Sequence, residues 1–399
     1  MLPRYGMRDS AVSVVGSSLS GRGIHLVVTG GIAAVETVRL ARELRRHGAT
    51  ITVTMTDEAK KIITPLAVGW ATGTRVNVGW SSDLPGLEVP DLVLVAPATR
   101  NTLSKISSGV MDDPAMMAVA AASGAGRPIL LVPSMHDDLF DDPVTQDLLA
   151  TMREKGHHVL TSPSEEGRRK QPAPEVIVRR TCALVNGGRP GSSRVAVFYG
   201  GTSSNIDPVR VISNTSSGRT GFLVADHLER MGHDVTTVVG TTTGPLDHRG
   251  ISARSPADMV DAASTILADG EPDVWVLAAA VLDFEPTDMS TEKISSKSTD
   301  LKVDLRPAPR LIDHIREISP GTKIISFKLE TGISQDELLD RARSHIERTG
   351  SDAVIANLLR GLEGDGPRGF MVHGETTETL ESEQDLCSGI ESLISGWVS

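Results

Sequence analysis

Short apolar runs alternate with longer amphipathic segments through most of the chain. In the first half the apolar runs are rich in β-branched residues, and they are residues 25–29 (HLVVT), 50–54 (TITVT), 92–96 (LVLVA) and 128–133 (PILLVP). Such runs predict strands of a parallel sheet that is buried on both faces. Residues 33–47 carry an apolar stripe at helical spacing and stop at Gly48, so they predict a helix between the first two strands. The alternation predicts βαβ units with right-handed crossovers.

A polar segment divides this pattern into two halves. Residues 186–194 (NGGRPGSSR) are almost free of apolar side chains, which predicts a linker. The strand-like runs then resume at residues 194–199 (RVAVFY), 234–239 (DVTTVV), 273–278 (DVWVLA), 323–327 (KIISF) and 352–356 (DAVIA). A chain of 399 residues is long enough for two cores. We therefore predict two doubly wound α/β domains, residues 1–188 and 189–399, with residues 1–22 as a short extension.

Composition and charge narrow the class of partner. The chain has 40 Lys and Arg against 51 Asp and Glu, a formal net charge of -11, whereas nucleic-acid binding needs a basic face. No run of 18 apolar residues and no secretory signal are present, so we expect no membrane partner and a cytoplasmic location. Cys182 and Cys387 stand in no metal-binding or disulfide pattern, which fits a reducing compartment. Small molecules are the predicted partners.

Polar turns follow the predicted strands of the first domain. Parallel sheets bind ligands at this edge, next to helix N-termini. Thr29, Gly30 and Gly31 open a helix, where backbone N–H groups and a hydroxyl can surround a phosphate. A Gly pair alone is a weak signal, because the chain has neither a Walker sequence nor a complete GxGxxG. With Thr56 and the hydroxyls and amide of residues 96–102, the turns predict a site for one phosphate and a polar planar ring.

Longer motifs around these turns resemble known families. Four segments are similar to phosphopantothenoylcysteine decarboxylase, a flavodoxin-like, FMN-binding domain: TGGIAAVETVRLARELRRHGA (29–49), MTDEAKKIITP (55–65), APATRNTLSK (96–105) and PSMHDDLFDDPVTQDLLATMREKG (133–156). Three later segments resemble phosphopantothenate-cysteine ligase, a Rossmann-like domain: GGTSSNIDPVRVISNTSSGRTG (200–221), AAAVLDFEPTDMSTEKISS (278–296) and SFKLETG (326–332). Their order resembles the bifunctional coenzyme A biosynthesis family, in its archaeal form, over about residues 20–370.

The resemblance implies a ligase in the second domain. Such enzymes join 4′-phosphopantothenate to cysteine through an acyl-nucleotide intermediate, using a nucleoside triphosphate, usually CTP, and Mg2+, so the site must stabilise developing negative charge. It implies that Asn214 contacts the activated acyl group, that Lys293 offsets phosphate charge, and that Asp283 lies near the nucleotide and the metal. A capped turn, a solvated lysine and a capping residue are the respective structural alternatives. Further implied substrate- and nucleotide-binding residues are Gly201, Thr202, Ser216, Ser217, Gly218, Ala279, Ala280, Pro309 and Phe327.

The second domain departs from the family at the nucleotide. Residues 305–311 (LRPAPRL) replace a Lys-Asn-Pro-Asp run of bacterial members. His345 and Thr349 stand where nucleotide-contacting lysines are expected, although Arg310, Arg343 and Arg348 are near in sequence. The choice between CTP and ATP therefore stays open.

The resemblance implies FMN-dependent decarboxylation to 4′-phosphopantetheine in the first domain. The implied FMN-binding residues are Thr29, Gly30, Gly31, Ile32, Thr56, Ala98, Thr99, Asn101 and Thr102. Asp83 stands in place of the family's catalytic His, and a carboxylate has neither the pKa nor the hydrogen-bonding pattern of an imidazole. His136 replaces a substrate-binding Asn, and either orients the substrate carboxylate or is a surface residue. Residues 162–171 (SPSEEGRRKQ) lack the Cys of the bacterial flap.

Two other interpretations stay open from the sequence. One is a ligase whose flavodoxin-like domain is catalytically impaired, because the histidine is missing. The other is a non-catalytic, flavin-binding regulatory protein, since relatives of the decarboxylase domain include phosphatase-inhibitor subunits. The resemblance also implies a homo-oligomer, in which the flavin domain forms trimers and the ligase domain forms dimers.

Overall fold

The computed structural model describes residues 10–80, 89–243, 250–295, 301–362, 364 and 366–398. It divides into two compact units, Met1–Gly187 and Gly188–Ser399. Within the described ranges, no helix has both the length and the apolar character that crossing a lipid bilayer requires.

The first unit alternates strands and helices. Its strands are β1 (Gly23–Val28), β2 (Thr50–Met55), β3 (Val76–Asn77), β4 (Leu92–Ala98), β5 (Ile129–Pro133), β6 (Met135–His136), β7 (His158–Val159), β8 (Ser164–Glu165) and β9 (Arg168–Arg169). Its α-helices are α1 (Thr37–Arg46), α2 (Pro65–Thr72), α3 (Arg100–Ser108), α4 (Pro114–Gly124), α5 (Asp137–Phe140), α6 (Pro143–Glu154) and α7 (Pro174–Asn186). Short 3-10 helices cover Ile32–Glu36 and Ala59–Lys61.

A parallel sheet with the order β3-β2-β1-β4-β5-β7 forms the centre of this unit. Every residue of β4 is buried, because helices cover both faces of the sheet. Leaving out the two-residue β3, the order is the 2-1-3-4-5 of flavodoxin-like folds, with its switch point between β1 and β4. The predicted doubly wound fold is confirmed, and its ligand crevice belongs at the carboxyl ends of β1 and β4.

The start of the described chain differs from the prediction. Residues up to 22 were expected to be an extension, yet Leu19 is fully buried in the core. Val15 N donates to Arg46 O at 2.9 Å, and Leu19 N donates to His47 O at 2.8 Å. Carbonyls at a helix C-terminus have no partner within the helix, so this segment satisfies the end of α1 and completes the core.

The second unit contains a larger sheet. Its strands are β10 (Arg194–Tyr199), β11 (Ser203–Asn205), β12 (Val211–Ser213), β13 (Asp234–Val239), β14 (Ile251–Ser252), β15 (Val274–Leu277), β16 (Phe284–Pro286), β17 (Leu305–Pro307), β18 (Lys323–Glu330), β19 (Ala353–Leu358), β20 (Gly369–His373) and β21 (Thr376–Leu380). Its helices are α8 (Arg219–Arg230), α9 (Pro256–Asp269), α10 (Leu311–Ile318), α11 (Gln335–Thr349), α12 (Leu359–Leu362) and α13 (Glu383–Val398).

The strand order in this sheet is β14-β13-β10-β15-β18-β19-β20-β21. The strands from β14 to β19 pair in parallel, and β20 and β21 add an antiparallel hairpin beside β19. The winding reverses between β10 and β15, so the expected ligand crevice lies at the ends of these two strands. The hairpins β11-β12 and β16-β17 lie outside this sheet.

Candidate active sites

A cavity of about 580 Å³ opens at the ends of β1, β2 and β4 in the first unit, within the size range of small-molecule sites. Six predicted cofactor-binding residues line it: Thr29, Gly30, Thr56, Thr99, Asn101 and Thr102. The sequence analysis missed its other lining residues, which are Met55, Asp57, Glu58, Val78, Gly79, Trp80, Lys105, Asp112, Asp113, Pro114 and Met116.

Threonine hydroxyls hold the two loops at this cavity together. Thr29 Oγ1 donates to Pro97 O at 2.7 Å and accepts from Thr99 N at 3.2 Å. Thr99 then caps α3, because its Oγ1 accepts from Thr102 N at 3.3 Å. A capped α3 presents its N-terminus, with the positive end of the helix dipole, at the cavity.

Gly30 allows the loop after β1 to approach the loop after β2. A Cβ atom at Gly30 would lie 2.3 Å from Glu58 Cβ, and one at Gly31 would lie 3.4 Å from Pro97 Cγ. A side chain at Gly30 would collide with Glu58, which also lines the cavity, whereas glycine leaves this backbone open to a phosphate. The cradle and the cavity volume therefore fit the FMN implied by the resemblance.

An ion pair forms part of the cavity wall. Lys105 Nζ lies 2.7 Å from Asp112 Oδ2 and 3.7 Å from Asp113 Oδ2. The hydrogen bond from Lys105 to Asp112 is the main cause that raises the pKa of the Lys105 ammonium. This lysine therefore stays charged at neutral pH.

Three predicted cofactor-binding residues do not line the cavity. A Cβ atom at Gly31 would lie 3.4 Å from Pro97 Cγ and 3.5 Å from Thr99 Cγ2, Ala98 is fully buried at the end of β4, and Ile32 is 75% exposed. The contact of these three residues with FMN stays a prediction.

His136 and the predicted flap segment form a separate small sheet. His136 is exposed on β6 and pairs with Arg168 on β9, and β9 pairs with β8. Asp137 accepts a hydrogen bond from Ser164 Oγ, which fastens the flap segment to the first residue of α5. His136 is not among the residues that line the cavity, and its catalytic role stays a prediction. Asp83 lies outside the described residues.

In the second unit, three distant segments meet at the carboxyl end of β10. Thr202 N donates to Ala280 O at 3.1 Å, and Thr202 Oγ1 accepts from Leu282 N at 2.8 Å. Asn214 N donates to Thr202 O at 3.2 Å. Asn214 Nδ2 also donates to Ala280 O at 3.3 Å and to Val281 O at 3.1 Å. Asn214 thus orders the loop after β15, and its predicted contact with the acyl group stays a prediction.

Gly218 immediately precedes α8 as its N-cap residue and has a left-handed conformation, with φ of 73°. A Cβ atom at this position would lie 2.6 Å from Thr242 Cγ2, so the turn requires glycine for both its conformation and its packing. Ser216 Oγ accepts from Gly218 N, and Ser217 Oγ accepts from Arg219 N, both at 3.3 Å. These contacts order the loop before α8, whose N-cap residue Gly218 has no side-chain cap, and anion binding here stays a prediction.

A cavity of about 190 Å³ lies beside the loop after β15. It is lined by four residues predicted to bind substrate or nucleotide, namely Ala279, Asp283, Pro309 and Phe327. The other lining residues are Leu277, Val281, Leu282, Arg310, Leu311, Ile312, Ser326, His345 and Arg348. The sequence indicated His345, Arg310 and Arg348 by their positions near the departures from the family pattern, and the structure brings them together.

The contacts of His345 fix its protonation. Arg348 Nη2 lies 3.0 Å from His345 Nδ1. A guanidinium can only donate, so Nδ1 is the acceptor and the neutral ring carries its proton on Nε2. Burial and then the positive charges of Arg348, Lys328 and Arg310 lower the pKa of His345 to about 4. Nε2 is buried and has no hydrogen-bond partner among the described residues, so this lining residue offers an unpaired N–H donor.

Asp283, the predicted metal-binding residue, is not part of a cluster of metal-binding side chains within the described part of the chain. Asp283 is exposed at the cavity, and no three His, Cys, Asp or Glu side chains of the described residues gather into a metal site. Mg2+ in nucleotide enzymes is usually bound by one or two carboxylates together with the phosphates. A single carboxylate therefore fits Mg2+ that arrives with a nucleotide.

Comparisons with known proteins match both units. Residues 13–186 match the family model described as flavoprotein, and residues 191–386 match the DNA/pantothenate metabolism flavoprotein C-terminal domain. The coenzyme A biosynthesis bifunctional protein CoaBC of Thermococcus kodakarensis is 38% identical over 352 residues, 86% of this chain and 87% of the relative. The proteins of the same description from Methanocaldococcus jannaschii and Mycolicibacterium smegmatis are 31% and 30% identical. They cover 86% and 88% of this chain, and 84% and 91% of the relatives.

Proposed function

Because the chain belongs to the family of bifunctional coenzyme A biosynthesis proteins, we propose that it carries out two consecutive reactions of that pathway. The second unit joins 4′-phosphopantothenate to cysteine, and the first unit decarboxylates the product to 4′-phosphopantetheine. Both motif sets and relatives matched along both units support this assignment. The alternatives, an impaired flavin domain or a regulatory protein, gain no support from these relatives.

The ligation proceeds in two steps. A carboxylate oxygen of 4′-phosphopantothenate attacks the α-phosphorus of the nucleoside triphosphate, and the bond to the β-phosphate breaks to release pyrophosphate. The cysteine amine then attacks the acyl carbon, loses a proton, and displaces the nucleoside monophosphate. CTP is the proposed nucleotide, and Asp283 would help to hold the Mg2+ that accompanies it. The site must stabilise charge that develops on the phosphates and on the acyl oxygen.

The contacts among Thr202, Asn214 and Ala280 carry the ligase proposal. They bring the loop after β10, the end of β12 and the loop after β15 to one point, next to the cavity that Asp283 lines. We assign the nucleotide base to this cavity and the phosphates to the region near the N-terminus of α8. Lys293 supplies positive charge to the transferred phosphate.

In the first unit, the cradle of Thr29, Gly30 and Gly31 would hold the phosphate of FMN, and Thr56, Thr99, Asn101 and Thr102 would line its ring and chain. When bound, FMN supplies the reversible oxidation that makes loss of the cysteine carboxylate feasible. The Lys105–Asp112 pair closes the cavity wall. His136 and the flap segment pinned to it orient the substrate carboxylate.

We also propose that the protein is a homo-oligomer located in the cytoplasm. The first unit exposes large apolar side chains, among them Leu66 at 84% and Ile32 at 75%. Association into a homo-oligomer would remove such side chains from water. We propose a trimer of the first unit and a dimer of the second. Cys182 and Cys387 are buried thiols, in keeping with a cytoplasmic location.

One incubation tests the proposed function. Protein loaded with FMN is mixed with 4′-phosphopantothenate, cysteine, Mg2+ and either CTP or ATP, and pyrophosphate and product masses are followed. We expect pyrophosphate release with CTP, then the cysteine adduct, then its mass less carbon dioxide. An adduct that accumulates without losing carbon dioxide would support the ligase with an impaired flavin domain. Absence of both products with either nucleotide would overturn the proposal.

A further inference from the structure

We propose that Asp207 and Arg210 form a clamp that positions Lys293 for ligation. The two residues lie in the turn between β11 and β12, and Lys293 lies more than 80 residues later in the segment after β16. The inference rests on the proposed role of Lys293. The contacts of the clamp make it a positioning device, because neither Asp207 nor Arg210 has to touch the substrate.

Asp207 is fully buried, and its two oxygens serve two different segments. Oδ1 accepts from Val209 N and from Arg210 N, both at 2.8 Å. Oδ2 accepts from the Arg210 guanidinium and, at 3.1 Å, from Ile294 N. One carboxylate thus folds its own turn and also binds the backbone next to Lys293.

Ile294 is held from both sides of its peptide backbone. Its N–H donates to Asp207, and its C=O accepts from Arg210 Nη1 at 3.1 Å. Ser290 N also donates to Ile206 O at 3.0 Å. Residues 290 and 294 are therefore both tied to the clamp turn, and Lys293 lies between them. The Lys293 side chain itself is exposed, so the clamp fixes its backbone and leaves the ammonium free to meet a phosphate.

The same hairpin also carries Asn214. β12 ends at Ser213, and Asn214 follows with its hydrogen bonds to Thr202 and to the loop after β15. The clamp turn is therefore rigidly connected to both candidate catalytic residues of the ligase. A transferred phosphate and an acyl oxygen are bonded to each other in the acyl-nucleotide, so their protein partners must keep a fixed separation.

The charge of Asp207 is necessary for these contacts. Burial alone would raise the pKa of the Asp207 carboxyl, but the backbone N–H groups of Val209, Ile294 and Arg210, with the Arg210 guanidinium, lower it to about 2. The carboxylate is therefore ionised at any working pH. An asparagine offers one accepting oxygen, and its NH2 group only donates, so it cannot accept from both Ile294 N and the clamp turn.

The decisive experiment compares Asp207→Asn with Asp288→Asn. Asp288 is an exposed acid on the same segment, so its replacement makes the same charge change outside the clamp. Pyrophosphate release is measured with 4′-phosphopantothenate, nucleotide and Mg2+ but without cysteine, which isolates acyl-nucleotide formation. A misplaced Lys293 should slow this step at least about 10-fold in Asp207→Asn, since a shift of about 1 Å can cost 100-fold. Asp288→Asn should stay within about 2-fold.

A double-mutant cycle separates positioning from general damage. In a Lys293→Ala background, adding Asp207→Asn should cost less than about 2-fold, because there is no ammonium left to position. Equal losses in both backgrounds would overturn the proposal.

Decarboxylation of supplied phosphopantothenoylcysteine by the same FMN-loaded protein reports whether the first unit is intact. If Asp207→Asn unfolds the second unit, Arg210→Met replaces it, since the methionine side chain has no N–H group to donate to Asp207 or to Ile294 O.

The outcomes distinguish the clamp from the function. A wild-type protein that releases no pyrophosphate contradicts the proposed function itself. A wild-type protein that does so, with Asp207→Asn equally fast, contradicts only the clamp.

Discussion

His345 shows how one hydrogen bond determines which ring nitrogen of a histidine can donate to a ligand. Arg348 donates a hydrogen bond to Nδ1, so the ring proton lies on Nε2. This Nε2 has no hydrogen-bond partner among the described residues. A buried donor without a partner costs free energy that a ligand acceptor would recover. A pyrimidine base presents such acceptors in its ring nitrogen and carbonyl oxygen.

We expect His345→Phe to raise the KM for the nucleotide about 10-fold, the loss of one buried hydrogen bond, with little change in the KM for cysteine. Steady-state ligation kinetics measure both constants. His373→Phe, at a histidine that pairs with Glu378 on the distant hairpin, serves as the control. A proportional rise in both constants would mean that His345 does not face the nucleotide.

Gly218 is the other residue whose conformation is directly testable. Gly218→Ala combines a left-handed φ with a contact of 2.6 Å to Thr242, whereas Gly332→Ala has a similar φ of 71° and no neighbour within 4 Å. Strain from φ alone costs about 1–2 kcal/mol. We expect Gly218→Ala to destabilise the second unit by more than Gly332→Ala does and to lower ligation. Urea unfolding of both variants measures the difference, and equal values would contradict the packing argument.

Among the elements, β1 carries a buried histidine between two threonines of β2. His25 Nε2 lies 3.0 Å from Thr54 Oγ1, and its Nδ1 lies 2.9 Å from Thr52 Oγ1. Burial lowers the pKa of His25 from 6.5 to about 4. The unfolded chain therefore takes up this proton first as the pH falls, so the stability contribution is present above pH 6.5 and is lost on the way down to about pH 4.

We expect the free energy of unfolding to fall by about 3 kcal/mol through His25 between these two pH values. His25→Gln removes the titrating group and keeps an amide that can bond both threonines. Denaturant unfolding of the wild-type protein and the variant from pH 7 to pH 4 isolates this residue, because other histidines cancel in the difference. Parallel pH curves for the two proteins would show that His25 does not carry this dependence.

Strands with an apolar or β-branched run could be predicted from the sequence, and strands without one could not. β10 has the predicted bounds, and five of its six residues are buried, as expected of a central strand. β13 also has the predicted bounds because it is rich in β-branched residues, although only its last two residues are buried. β21 exposes four of its five residues, and β11 reads Ser-Ser-Asn, so neither shows an apolar pattern. Six residues that line the first cavity could be predicted because they follow the ends of parallel strands. Asp112 and Asp113 follow α3 instead, and the clamp joins residues more than 80 positions apart, so only the fold brings them into place.

On the scale of the whole molecule, the two units should work as separable catalysts. Each unit has its own cores, its own sheet and its own cavity. Damage to the flavin cradle should therefore leave ligation intact and allow the cysteine adduct to accumulate.

Gly30→Ala tests this separation, because its Cβ would lie 2.3 Å from Glu58 Cβ. We expect FMN content, measured by flavin absorbance, to fall about 10-fold or more, with ligation within about 2-fold of the wild-type rate, since loss of a backbone phosphate contact costs more than 1.4 kcal/mol. Gly124→Ala, with no neighbour within 4 Å, is the matched control. Loss of ligation together with FMN would show that the units are not independent.

The central claim is that the second unit activates a carboxylate by bonding it to a nucleotide. Its most direct test uses 4′-phosphopantothenate with 18O in both carboxylate oxygens, incubated with the protein, cysteine, Mg2+ and CTP. Attack on the α-phosphorus predicts one 18O atom in the nucleoside monophosphate and one in the amide carbonyl of the adduct. Label in inorganic phosphate, with a nucleoside diphosphate as the other product, would contradict the account.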